Sequence, residues 1–280
     1  MRKTWLPVVV TILAGCAPAE EAAAPTTSTG GDSCAKDSLQ TLSAGTLTFG
    51  TDQPAYPPWF VDDDPASGKG FESAVAYAVA DKLGFTPEEV TWVRVPFNAA
   101  IAPGAKTFDA NLSEFSITEE RKQAVDFSTP YYDVTQAVVT VASSPAAAVK
   151  DLNALKALKL GAQVGTTSYT AAEALAPAQP ISVYNNNEDA KAALTSGQID
   201  AVVLDLPTAF AVQAELDGGV IVGQLPTETD TPEQFGIVLD KGSPLTACVS
   251  SAVDELRSDG TLAELQQTWL DEAGNAPVLT

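Results

Sequence analysis

The chain has 280 residues, no histidine and a formal net charge of −21, from 15 Lys+Arg against 36 Asp+Glu. Strong acidity argues against nucleic acid or an anionic membrane surface as the main partner, since both repel negative charge. Without histidine the commonest metal ligand and the usual general base are gone, which excludes a catalytic zinc and a Ser-His-Asp triad. The 45% hydrophobic content is that of a globular protein, and the length fits one large or two medium domains. The composition points to a binder with no cofactor and no metal.

Residues 1–16 read MRKTWLPVVVTILAGC. Arg2 and Lys3 precede an apolar run, Leu6 to Leu13, that is too short for a permanent membrane span and fits the core of a secretory signal. Leu13-Ala14-Gly15-Cys16 resembles the lipobox of bacterial lipoproteins, in which the chain is cut before the cysteine and its sulfur carries a diacylglycerol. Residues 1–15 are therefore expected to be a signal peptide and Cys16 a lipidation site. Residues 17–33, APAEEAAAPTTSTGGDS, contain no large apolar side chain and cannot bury enough surface to offset their ordering entropy. The stretch 16–34 is expected to be a flexible tether, and the body to sit outside the cytoplasm, anchored to the membrane by lipid alone. Cys34 and Cys248 remain as an even pair in an oxidising compartment and are predicted to be bridged; two buried free thiols are the alternative.

Strand-like and helix-like runs then alternate. Thr46 to Thr51 alternates as a half-buried strand, and Gly70 to Gly84 sets Phe71, Val75, Ala78, Val79 and Leu83 on one helical face with Gly84 as the stop. Strands are expected at Val90–Val95, Asp109–Leu112, Ala137–Ala142, Lys159–Ala162, Ile181–Tyr184, Ala201–Leu204 and Phe235–Leu239, and helices at Thr170–Ala176, Glu188–Ser196 and Pro207–Glu215. Ser243-Pro244 reads as an N-cap with proline at the first helical position, Gly260 as a stop, and Thr261 to Glu264 as a capping box. This alternation means α/β with largely parallel sheets.

Glu114 to Tyr132, EFSITEERKQAVDFSTPYY, resembles the extracytoplasmic solute-binding proteins of family 3, which deliver polar amino acids to ABC importers. GTDQPAYPPW, GKGFESAVAYAVADKLG, VPFNAAI, GAQVGTTS, IDAVVLDLPTA, FGIVLDKGSPL and LRSDGTLAELQQTWL follow the family order from about Thr46 to Leu270. The resemblance implies a two-lobed periplasmic-binding-protein fold with two hinge crossings, near Tyr132–Ala137 and Leu225–Glu233. Lobe one would be 35–134 plus 233–280 and lobe two 135–232, with the ligand in the cleft between them. It also implies an ABC-transporter permease as partner and a monomeric protein.

Taken alone, Arg121 reads as a surface residue on a short helix capped by Thr118. The resemblance assigns its planar fork to the ligand carboxylate, with Ser116, Thr166 and Thr167 beside it, and gives Asp205 the ammonium; Asp200 reads as structural. Tyr56, Trp59 and Phe97 are expected as aromatic walls, with core packing as the alternative. One residue more than usual stands between Asp52 and Tyr56. Asp52 matches the position that contacts the far end of the ligand, and Glu114 stands where the family has a small or amide residue. If Glu114 faces the cleft, two acids with no further arginine favour a polar or cationic ligand such as Lys, Arg or ornithine over Glu or Asp; if it faces solvent, glutamine-like ligands fit equally. The same scaffold hosts cyclohexadienyl dehydratase-like lyases and could serve a ligand-sensing surface receptor, so the fold alone does not choose.

Overall fold

The computed structural model describes Met1 and residues 34–227, 232–270 and 276–280. The signal segment, Cys16, the tether up to residue 33 and the middle of the second expected crossing, 228–231, lie outside the described residues. No helix among those described is long and apolar enough to cross a membrane.

Two five-stranded sheets form the cores of two lobes. In the first, β1 (Leu47–Thr51) runs parallel to β2 (Val90–Arg94) and β3 (Ala110–Asn111). β4 (Val125–Phe127) completes it through a returning antiparallel strand described below. β1 is buried on both faces, not half-buried as its alternation suggested, because parallel sheets are covered on both sides. α1 (Phe71–Lys82) packs there and ends before Gly84, whose φ of 83° is the left-handed value a glycine accepts most cheaply. α2 (Phe97–Ala100) is a single turn after β2.

The chain crosses to the second lobe through β5 (Tyr132–Val134) into β6 (Gln136–Val141). Here α3 (Leu152–Lys156), β7 (Leu160–Gln163), α4 (Thr167–Ala174), β8 (Ser182–Tyr184), α5 (Asn187–Thr195), β9 (Ala201–Asp205), α6 (Leu206–Glu215) and β10 (Gly219–Gln224) follow in turn. β7 is parallel to β8 and β9, whereas β6 is antiparallel to β9 and β10. The return strand β11 (Glu233–Phe235) pairs antiparallel with β5, and β12 (Val238–Asp240) then enters the first sheet between β3 and β4. Each sheet is thus parallel in its βαβ part and antiparallel where the crossing strands join.

The single strand expected over Phe235–Leu239 is broken in two at Gly236, where an added Cβ would lie 2.8 Å from Ile117. α7 (Thr246–Ser258) and α8 (Thr261–Leu270) pack on α1 and close the first lobe. α7 begins at Thr246, after Ser243-Pro244, and the Ser243 hydroxyl accepts from Leu245 N in the preceding turn. The expected capping role of Thr261 belongs to Asp259, whose carboxylate accepts from Thr261 N at 2.9 Å. Cys34 and Cys248 are joined by a disulfide, with Cα atoms 5.4 Å apart, so the segment that begins at Cys34 is clamped to α7.

The last residues depart from expectation. All of 233–280 was assigned to lobe one, yet 276–280 pair with β10 of the second. Gln224 N donates to Pro277 O at 2.8 Å, Leu279 N donates to Gln224 O at 2.9 Å, and Leu279 is buried in the second lobe's core. Leu279 buries its apolar side chain in the second core, and the open edge of β10 supplies the backbone partners of the tail.

Candidate functional site

The lobes meet over a narrow cleft, lined from the first lobe by Thr51, Asp52, Tyr56, Phe97, Glu114 and Arg121 and from the second by Gln163, Thr166, Thr167, Ser168 and Asp205, among others. Each second-lobe group stands at the carboxyl end of a parallel strand or the first turn after it, where α/β ligands bind.

Arg121 sits on a 3-10 turn opened by Thr118, whose hydroxyl accepts from Arg121 N at 3.1 Å. The residue is only 9% exposed, and its guanidinium carbon lies 5.4 Å from the ring centroid of Phe97, which itself stacks on Phe115 at 4.7 Å. Nη1 donates to Ser116 O at 2.7 Å, and Nη2 donates across the cleft to Gly165 O at 3.0 Å. Of five N–H donors, two are aimed and three remain for a ligand. Burial lowers its pKa from the usual guanidinium value, though not enough to discharge an arginine.

Thr166 is the N-cap of α4, accepting from Tyr169 N at 3.1 Å, and Thr167 is its first residue. The helix expected from Thr170 therefore starts three residues earlier and aims its free N–H groups at the cleft. Ser116 does not line the cleft. It stands one layer behind, its hydroxyl 3.0 Å from Thr167 Oγ1 and bonded to Glu233.

Asp205 ends β9 opposite Gln136 of β6 and occupies the N-cap position of α6 without capping it, which leaves its carboxyl to the cleft. Gln136 Nε2 bridges Asp205 Oδ1 at 2.9 Å and Glu233 Oε2 at 3.0 Å, and Gln136 Oε1 accepts from Ser168 at 2.7 Å. Burial, then the charges of Glu114 and Glu233, push the Asp205 carboxyl well above the usual carboxylate range. Asp200 has no place here: its carboxylate and carbonyl accept from Lys159 N, Thr140 and Ser144.

Glu114 faces the cleft. Its backbone has φ 56°, an unusual value for a non-glycine, and its amide donates to Glu72 Oε1 at 2.7 Å. Glu114 Oε2 accepts from Thr208 of the opposite lobe at 2.7 Å. Burial first and the Glu72 charge second push its carboxyl up to about 8. Asp52 follows β1 in the same wall, its pKa raised by burial, and the Tyr56 hydroxyl accepts from Glu188 N across the cleft at 3.3 Å. Trp59 is a correction. It is fully buried against Phe71, Tyr132 and Phe235 and sits beneath the cleft, where a large ring fills the core while its Nε1 donates to Thr208 at 2.7 Å.

Sequence reasoning missed Glu72, Gln136, Thr208 and Glu233. Among the described residues no group of three His, Cys, Asp or Glu is arranged to hold a metal ion. A buried guanidinium and a partly buried carboxyl, presented from opposite lobes, suit a small zwitterion.

Residues 47–272 match the bacterial extracellular solute-binding proteins, family 3. The chain belongs to this family. An L-arginine-binding protein of Pseudomonas aeruginosa is 31% identical over 240 residues, covering 79% of this chain and 90% of that one. Among solved structures, an ancestral arginine-binding protein bound to glutamine has a TM-score of 0.68 at 34% identity, covering 81% of this chain and 98% of its own. An ancestral amino acid-binding protein described as a precursor of cyclohexadienyl dehydratase has a TM-score of 0.66 at 31% identity, covering 81% and 95%. The family 3 fold is thus this chain's fold, two lobes with a cleft between them.

Proposed function

We propose that the protein is a lipid-anchored, monomeric extracytoplasmic binding protein that captures a polar amino acid in its cleft and hands it to the permease of an ABC importer. Arg121 and Asp205 carry this reading: they line one cleft from opposite lobes, the guanidinium for an α-carboxylate and the acid for an α-ammonium. Thr166 and Thr167 supply the helix N-terminus on the carboxylate side, and Tyr56 and Phe97 wall the side chain. Ligand binding draws the lobes together about the β5 and β11 crossings. Lobe one is 35–134 with 233–270, and lobe two is 135–232 with the tail 276–280.

Asp52 and Glu114 both line the cleft, which favours a cationic side chain: arginine, lysine or ornithine over glutamine. The proteins named for arginine binding among the relatives support the same class. Residues 1–15 act as the signal peptide, Cys16 bears the lipid, and 16–34 is the tether; Cys16→Ser should release the protein from the membrane fraction. A thermal-shift panel of the common amino acids tests the ligand class, because a ligand at 100 times its Kd adds about 2.7 kcal/mol to the native state. The basic amino acids should raise Tm most, and a panel without any shift contradicts the reading.

A buried acid that keeps its proton near neutrality also suits a lyase's general acid, and one relative is described as a precursor of such an enzyme. We read the site as a binder without chemistry, since Arg121, Thr167 and Asp205 form a complete clamp. Turnover of prephenate or arogenate by the purified protein would reverse that choice.

A further inference from the structure

Thr208 reaches from the second lobe into the core of the first. It stands in the first turn of α6, on the helix that follows Asp205, and is 1% exposed. Its hydroxyl lies between two first-lobe side chains, accepting from Trp59 Nε1 at 2.7 Å and donating to Glu114 Oε2 at 2.7 Å. Chemistry fixes both directions. An indole N–H can only donate, so the single hydroxyl hydrogen is left for the carboxyl.

Both partners are themselves held. Trp59 is fully buried with its ring against Phe71, Tyr132 and Phe235, and Thr208 satisfies its one polar side-chain atom. The Glu114 backbone is set by its own lobe: φ is 56° and the amide donates to Glu72 Oε1 at 2.7 Å. Its side chain is tied by the other lobe, through Thr208. The bonds of Arg121 to Gly165 O, of Tyr56 to Glu188 N and of Ser116 to Thr167 also join the lobes, but none of these ends on an acid of the cleft. Opening the lobes about their crossings carries α6 away, and Trp59 Nε1 and Glu114 Oε2 then lose the shared hydroxyl together.

Resting on the amino-acid reading above, we propose that Thr208 is a positioning residue for recognition: its hydroxyl seats between Trp59 and Glu114 only when the lobes close, and there fixes the Glu114 carboxyl as an acceptor for the ligand's ammonium beside Asp205. Closure and completion of the ammonium site are then one event. Because the Trp59 N–H occupies a lone pair of the hydroxyl, its hydrogen stays aimed at Glu114, and a buried ring of the core sets the direction of an acid in the cleft. The same hydrogen favours the charged form of Glu114, which suits an ammonium.

The test is a double-mutant cycle on the full chain, Thr208→Val with Trp59→Phe, read by calorimetry with L-arginine and by NMR of the indole N–H signals. Thr208→Val keeps the side-chain volume and removes the hydroxyl; Trp59→Phe keeps a ring in the core and removes the N–H. Thr208→Val should weaken binding about tenfold, the worth of one hydrogen bond to a charged group, and Thr208→Ser should restore most of it. Trp59→Phe should cost much less affinity in the Thr208→Val background than in wild type, since both changes remove the same bond. The Trp59 N–H signal, identified by its loss in Trp59→Phe, should exchange readily with water in the free protein and be protected once L-arginine binds; Thr208→Val should remove that protection. If Trp59→Phe does not fold, the affinities of Thr208→Val and Thr208→Ser decide. Equal protection of the N–H with and without ligand, or a Thr208→Val affinity within about twofold of wild type, would make Thr208 a plain structural contact and overturn the proposal, leaving the amino-acid reading intact. Absence of binding by every amino acid would overturn that reading and the proposal with it.

Discussion

Replacing Arg121 with lysine isolates what the guanidinium geometry contributes. The native side chain holds Ser116 O at 2.7 Å with one nitrogen and Gly165 O at 3.0 Å with another, and still presents a fork to the cleft. A lysine has three hydrogens on one atom, so it cannot keep both carbonyls and a bidentate carboxylate in their present places. At least one charge-assisted hydrogen bond to the ligand is lost, worth about 1.5–3 kcal/mol, and about 1.4 kcal/mol is tenfold in affinity. Arg121→Lys should therefore weaken L-arginine binding at least about tenfold by calorimetry, with the far-UV CD spectrum unchanged. The bond to Gly165 O also joins the lobes, so part of the loss should appear as a faster off-rate. Affinity within about twofold of wild type would refute the assignment of the carboxylate to Arg121.

The buried acids make a stability prediction of opposite sign to ordinary acid denaturation. Burial raises Glu72 to about 7, so between its unfolded value near 4.3 and that point the native state holds a proton the unfolded chain has released. Stability of the protein without ligand should fall as pH rises from about 4 to 7, and Glu72→Gln should flatten that fall by up to roughly 3 kcal/mol in urea melts; parallel wild-type and mutant slopes would count against it. Mass spectrometry of unreduced peptides should find Cys34 linked to Cys248, and reduction should cost about 2–5 kcal/mol; free thiols would contradict the bridge. Deleting residues 276–280 exposes the Leu279 site, whose burial is worth about 1.5–3 kcal/mol, and should lower the urea midpoint; an unmoved midpoint would mean the tail does not cover the second lobe.

The alternation of strand and helix was legible because apolar periodicity is local. Gly70 to Gly84 carried its own stop signal, and Ala137 to Ala142 was apolar on both faces. The β10 run, GVIVGQ, went unread because its glycines resemble loop, although Val220, Ile221 and Val222 fit a buried strand. Arg121, Thr167 and Asp205 could be placed in one cleft only through the order of family motifs, since 84 residues separate Arg121 from Asp205 and nothing local joins them. Trp59 was ambiguous because a wall and a core position call for the same ring; only Thr208, waiting for its N–H from the other lobe, distinguishes them. Glu72 left a signal that went unused: with Val75, Ala76 and Val79 it shares the buried face of α1, and a glutamate there demands partners. Gln136 and Glu233 gave none, because their roles arise from the pairing of the two crossings.

The central claim is that one zwitterion is held at both ends, by guanidinium from the first lobe and carboxylate from the second. A crystal structure of the protein grown with L-arginine tests it most directly. The account predicts the ligand carboxylate paired with Arg121 beside Thr167, and the α-ammonium within hydrogen-bond distance of Asp205 and Glu114. A ligand carboxylate bound elsewhere, with Arg121 still turned only to Ser116 and Gly165, would contradict it.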